Sequence, residues 1–183
     1  MKNTKSVVFI VLIMLLSSCK SSFTEVDRLQ LIQLKEQISN QEIHFKATAA
    51  FPLNTQSVNH VINDFLMRNG NSAGRINLSG DNYTVQLVED RAVFNLPFYG
   101  ERRAGGGYNS DNSYNFTGKI KNSKIFIVED SNYITYKFDV RNDTESINVV
   151  FKIFSIESAH LIINSLHRSS IKYDGHLINE IVK

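Results

Sequence analysis

The sequence predicts a mainly β protein: a single, strongly curved antiparallel sheet or open β-barrel, with one N-terminal α-helix covering an end or face. Three observations carry this expectation. From Glu42 onward the apolar residues recur every second position in one short run after another. The runs are joined by links too short for a crossover helix, so neighbouring strands must be antiparallel. Only the stretch after Ser21 has the helical period, and Tyr and Phe reach 19 residues with no Trp, a usage that suits strands. A long twisted sheet tends to curl, and a helix can seal the apolar concavity.

The 183 residues suffice for one domain with a proper core. Residues 1–18 read as a lipoprotein signal peptide, 19–23 as a lipidated tether, and 24–183 as one β-rich domain. In "MKNTKSVVFIVLIMLLSSC", Lys2 and Lys5 precede an apolar run from Val7 to Leu16 that is too short to span a bilayer. Small residues follow, and "LSSC" resembles the bacterial lipobox, whose cysteine becomes the acylated first residue. Cys19 is the sole cysteine, so its acylation leaves no thiol for a disulfide, a metal or a nucleophile. Two or more acyl chains give stable anchoring to a membrane surface. Lys20 stands where an inner-membrane retention signal has Asp, and "KSSF" lacks an acidic export run. The expectation is therefore an outer-membrane lipoprotein facing the periplasm. Loss of the signal removes two lysines and no acid, leaving basic and acidic side chains in equal number. A neutral domain offers no electrostatic case for nucleic acid.

In "TEVDRLQLIQLKEQISNQ", Thr24 can cap a helix, with Asp27 three residues on as a capping-box variant. Val26, Leu29, Leu31, Ile32, Leu34 and Ile38 form a broad apolar face, expected to pack on the sheet. "EIHFKATAAF", "NYTVQLVE" and "DRAVFNLPF" follow as strands, then "KIFIVED", "YITYKFDVR", "INVVFKIFSI", "AHLIINSL" and "SIKYDGHLI". Ile134, Tyr136, Phe138 and Val140 give the cleanest alternation. "NDTES" reads as a hairpin loop, and "IESAH" and "HRSS" as tight connections. Asn54 to Gly80 stays open: "SVNHVINDFLMRNG" could be a short helix capped by Ser57.

Four of these segments, "FKATAAFP", "INLSGDNYTVQLVEDRAVFNLPFYG", "YNFTG" and "HRSSIKYDGHL", occur in an order that resembles a Bacteroidetes lipoprotein family, the domain of unknown function 4251. The resemblance runs from about Glu42 to Leu177. Its most specific residues are Leu96, Pro97, Tyr99 and Gly100, with Arg168, Ile171, Tyr173 and Gly175. Two departures stand out: a longer segment between Pro52 and Ile76, and Phe98-Tyr99 where Tyr-Phe is usual. The family implies a β-rich lipoprotein and supplies no activity.

The segment Leu96–Gly118 holds Gly105, Gly106 and Gly107. No lysine follows them and no helical pattern, which excludes a P-loop. Asp111 is the lone carboxylate in "GGGYNSDNSYN", too few oxygen ligands for calcium. The five histidines, His44, His60, His160, His167 and His176, are dispersed without metal-ligand spacing, and no G-x-S-x-G surrounds a serine. No catalytic residue, metal site or cofactor is therefore assigned. Tyr99, Arg102, Arg103, Tyr108 and Tyr114 can form a polar-aromatic binding rim, since tyrosine gives contact area at low entropic cost. Arg168 and Tyr173 lie at a second candidate position, where Arg168 can meet a ligand carboxylate or pair with Asp174 or Glu101. The function expected is a non-catalytic envelope lipoprotein that binds a small or lipid-like ligand in a concave β surface. The alternatives are an accessory lipoprotein docking an envelope protein, and a hydrolase of unrecognised type.

Overall fold

A computed structural model describes residues 25–40, 42–53, 72, 74–103, 113–128, 131–142 and 145–178. The signal segment, Cys19, Thr24, most of the open region between Asn54 and Gly80, and the glycine run lie outside these residues. One helix, α1 (Glu25–Asn40), precedes nine strands: β1 (Ile43–Pro52), β2 (Ile76–Asn77), β3 (Thr84–Val88), β4 (Arg91–Pro97), β5 (Ser113–Ile127), β6 (Ile134–Arg141), β7 (Ser146–Ser155), β8 (Ser158–Ser165) and β9 (Ile171–Leu177). Every pairing is antiparallel.

The curl of the sheet goes to completion. From β3 to β9 each strand pairs with the next, and β1 pairs with β3 on one side and β9 on the other. Eight strands thus close an up-and-down barrel, and closure removes the exposed edges of an open sheet. The short β2 continues the β3 side of β1, with Ala50 opposite Ile76. The seam between β1 and β9 runs from Phe45↔Leu177 to Pro52↔Ile171 and carries a bulge between Ala47 and Ala49.

The period-two pattern sends one face of each strand inward. Ile147, Val149, Phe151 and Ile153 of β7 are buried, as are Ala92, Phe94 and Leu96 of β4. Phe45, Phe94, Phe138, Phe151, Tyr114 and Tyr173 fill the barrel, with Phe45 edge-on to Phe151 at 5.5 Å. The interior is a packed core, as expected of an eight-stranded barrel filled by side chains. The outer wall carries many polar side chains: Lys46, Gln86, Asn95, Lys119, Asp139, Asn148, Lys152 and Lys172 alternate with these inward residues, beside apolar ones such as Val93 and Phe154. A transmembrane barrel has the opposite arrangement, apolar outside. Among the described residues no helix is long and apolar enough to cross a membrane.

Two expectations change in detail. The strand expected from Lys124 begins at Ser113, because "SYNFTGK" pairs along β4 from Leu96↔Tyr114 to Arg91↔Lys119. Cross-strand pairing overrides the turn-forming character of Ser, Asn and Gly there. The broad apolar face of α1 is also split. Leu31 and Ile38 are buried and Leu34 packs against the core, while Val26, Leu29 and Ile32 are 62%, 54% and 40% exposed. At 100° per residue the six side chains span more of the helix than one contact with a barrel can cover.

Strand directions assign the barrel two unlike ends. At one, α1 lies beside the Ile156–Glu157 turn and the tip of the β5–β6 hairpin. That hairpin carries a bulge between Lys121 and Lys124, where Asn122 takes a φ of 53° and its side-chain Nδ2 donates to Asp139 Oδ2 at 2.8 Å. A bulge raises the local twist, and the residues beyond it face α1. At the other end the chain after β4 runs beside the β8–β9 connection.

Candidate functional site

At the end opposite the helix, residues 98–103 and 167–169 meet as a short antiparallel bridge. The Arg103 amide donates to the His167 carbonyl at 2.8 Å, and the Ser169 amide donates to the Glu101 carbonyl at 2.8 Å. Arg102 and Arg168 are the paired residues. Gly100 permits the approach: a Cβ there would collide with Ser169 Oγ and would lie 2.6 Å from the Phe98 ring.

Arg168 plugs this end. It is 7% exposed, and its Nε stands 3.2 Å from Glu145, itself 8% exposed. Its Nη1 donates to the Ser113 carbonyl at 2.9 Å. The guanidinium lies 4.5 Å from the Tyr114 ring centre and 5.2 Å from that of Phe98. Glu145 also accepts from Ser165 Oγ at 3.2 Å. A buried charge needs a partner and further hydrogen bonds, and this one has both.

The sequence-derived candidates separate on this frame. Tyr114 and Tyr173 belong to the core, and Tyr173 donates its hydroxyl to the Pro97 carbonyl at 2.8 Å. Tyr99 is half-buried, Arg102 lies in the bridge, and Arg103 is exposed. Tyr108 and Cys19 lie outside the described residues. Arg168 pairs with neither Asp174 nor Glu101. Asp174 faces outward to Lys172 at 3.0 Å and His160 at 3.4 Å, while the partner of Arg168 is Glu145 from the β6–β7 turn. That glutamate carries no local sequence signal.

Burial pushes the hydroxyl of Tyr114 far above the usual phenol range, with Arg168 opposing and Glu145 adding to the effect. Tyr173 is raised for the same first reason, with Tyr114 and Tyr99 adding. A raised folded value stabilises the fold fully below the unfolded phenol value, about 10, and that stability fades as pH climbs above it. Ultraviolet titration of the seven tyrosines should therefore show a late group that ionises only as the far-ultraviolet circular dichroism collapses. Replacement of Tyr173 by Phe should shrink the late group. One reversible wave with the barrel intact would contradict the burial.

At the helix end a groove of about 810 Å³ opens between α1 and the barrel rim. Leu31, Leu34, Phe154 and Ile156 supply apolar surface, and Gln30, Gln33, Gln37 and Asn132 supply carboxamides. Two further cavities flank α1, of about 450 and 460 Å³, one lined in part by Lys124 and Glu89 and the other by Lys35 and Glu36. The signal that could have found the groove is Gln30-x-x-Gln33-x-x-x-Gln37, three carboxamides on one helical face. Among the described residues no three His, Cys, Asp or Glu side chains gather as metal ligands would.

Compared with known proteins, no curated protein matches the chain. The model of the family described as "Domain of unknown function (DUF4251)" matches residues 25–177, from the first residue of α1 to the last of β9. The match takes in the whole barrel and both of its ends, and the chain belongs to that family.

Proposed function

We propose that this chain is a Bacteroidetes lipoprotein of the outer membrane, acylated at Cys19 and facing the periplasm, that binds a small or lipid-like ligand without catalysis. The observation that carries the reading is the groove beside α1. It is larger than the two cavities that flank it, and it joins an apolar floor to a few convergent polar groups, the usual make-up of a small-molecule site. The barrel interior is filled by aromatic side chains, so the reading rests on the concavity at the rim. Lipobox-like "LSSC" supports the anchor. Only five residues separate Cys19 from Glu25, a reach of at most about 20 Å, which would hold the groove close to the bilayer.

A second reading, docking of an envelope protein, is favoured by the exposed Val26, Leu29 and Ile32 on α1. Native mass spectrometry of the chain released from its own envelope distinguishes the two. A small-molecule mass lost on denaturation supports the ligand reading, whereas a mass shift equal to another protein supports docking. Acylation is tested by growth on radiolabelled palmitate: label should enter the chain and be absent from Cys19→Ala. An unlabelled parent would refute the anchor.

A further inference from the structure

We infer that the groove between α1 and the barrel rim binds a neutral saccharide; this rests on the ligand-binding function proposed above and names its ligand class. The volume, about 810 Å³, lies within the span of small-molecule sites, about 300–1,000 Å³.

The chemistry of the walls selects the class. Gln30, Gln33 and Gln37 stand at i, i+3 and i+7, so their carboxamides form one row along α1. Asn132 adds a fourth from the β5–β6 connection. Each carboxamide offers two N–H donors and a carbonyl acceptor. A sugar hydroxyl both donates and accepts, so a row of amides matches a row of hydroxyls without any net charge. The floor supplies the second half of the match. The Phe154 ring is held by Tyr133 at 5.2 Å and His160 at 5.0 Å, a fixed apolar plate on which the C–H face of a pyranose can lie.

Other ligands fit less well. Among the described residues, the charged side chains lining this groove are Asp27 and Glu157; lysines line the flanking cavities instead. Among the described lining residues a phosphate or carboxylate would therefore meet two acids and no cation. An acyl chain would cover the amides and leave their donors and acceptors unmatched, and a desolvated, unpaired polar group costs about 1–3 kcal/mol.

The test uses the full mature chain in a detergent without a sugar headgroup, titrated against an array of neutral di- to tetrasaccharides by saturation-transfer NMR and calorimetry. At least one neutral glycan should bind. The double variant Gln33→Ala/Gln37→Ala should weaken that binding tenfold or more at an unchanged thermal midpoint, since alanine on an exposed helix face keeps the helix. Phe154→Ala should weaken it similarly. An array with no neutral binder overturns the inference, and so does binding that survives both variants. The mass spectrum of the chain from its own envelope separates the two failures. A retained mass that is not a sugar sinks the saccharide and leaves the ligand function standing. A bare protein mass with an empty array sinks both.

Discussion

Arg168→Ala should cost about 3–5 kcal/mol, the penalty for leaving one member of a buried ion pair without its partner. The loss falls on Glu145. Its carboxylate is 3.2 Å from the Arg168 Nε and would keep only the Ser165 hydroxyl, also at 3.2 Å. The Ser113 carbonyl would lose the Arg168 donor, and the Tyr114 and Phe98 rings the cation they flank. For a chain of this size the midpoint of thermal unfolding should drop by about 10 °C or more. The control is the double variant Arg168→Met/Glu145→Leu. An apolar pair of similar volume removes both charges, and such replacements are often neutral or better. Recovery of most of the midpoint would mean that the single variant suffers from a stranded carboxylate rather than from the loss of a strong attraction. If Arg168→Ala cost under about 1 kcal/mol, water would have to reach Glu145 as it reaches a surface pair, contrary to the burial of both residues.

The strands were legible because one face of each meets a core and the other meets water, which writes period two directly into residues such as Ile134, Phe138 and Val140. Closure was not legible. It depends on β1 meeting β9, as in Phe45↔Leu177, and nothing local records a partner so distant in the chain. The first half of β5 was hidden for a related reason. Tyr114 and Phe116 stand among Asn, Ser and Gly, and only the pairing with β4 makes them a strand. Tyrosine was ambiguous in its own right: the same ring suits a binding rim or a core. The phase of the strand decides, placing Tyr173 inside and Asp174 outside. That phase also explains why Arg168 looks past Asp174. The groove was the least legible feature, because its walls come from α1 and from two strand connections that meet only when the helix packs against that end of the sheet.

Gly175→Ala should be the most damaging single methyl in the barrel, at about 3 kcal/mol, the upper end of ordinary overpacking. Gly175 stands opposite Ala47 on β1 and Ala159 on β8, at the bulge in the closing seam. A Cβ there would collide with the Lys46 carbonyl oxygen and come within 2.7 Å and 2.8 Å of the Phe45 ring. Neither neighbour can yield cheaply. The carbonyl belongs to the backbone of β1, and Phe45 is fully buried with its ring edge-on to Phe151. The strain must therefore spread into the seam, where Thr48 Oγ1 donates to the Asp174 carbonyl at 3.2 Å. Hydrogen exchange should locate the damage. Amides of β1 and β9 should lose protection first, while β5 and β6, on the opposite side of the barrel, keep theirs until global unfolding. The contrast with Gly80 makes the test specific. That glycine has open space around a Cβ but a φ of 101°, so Gly80→Ala would strain the backbone of its own turn and should leave the seam protected. Equal loss of protection throughout the barrel in Gly175→Ala would show that closure and core form one cooperative unit, with no weak line at the seam.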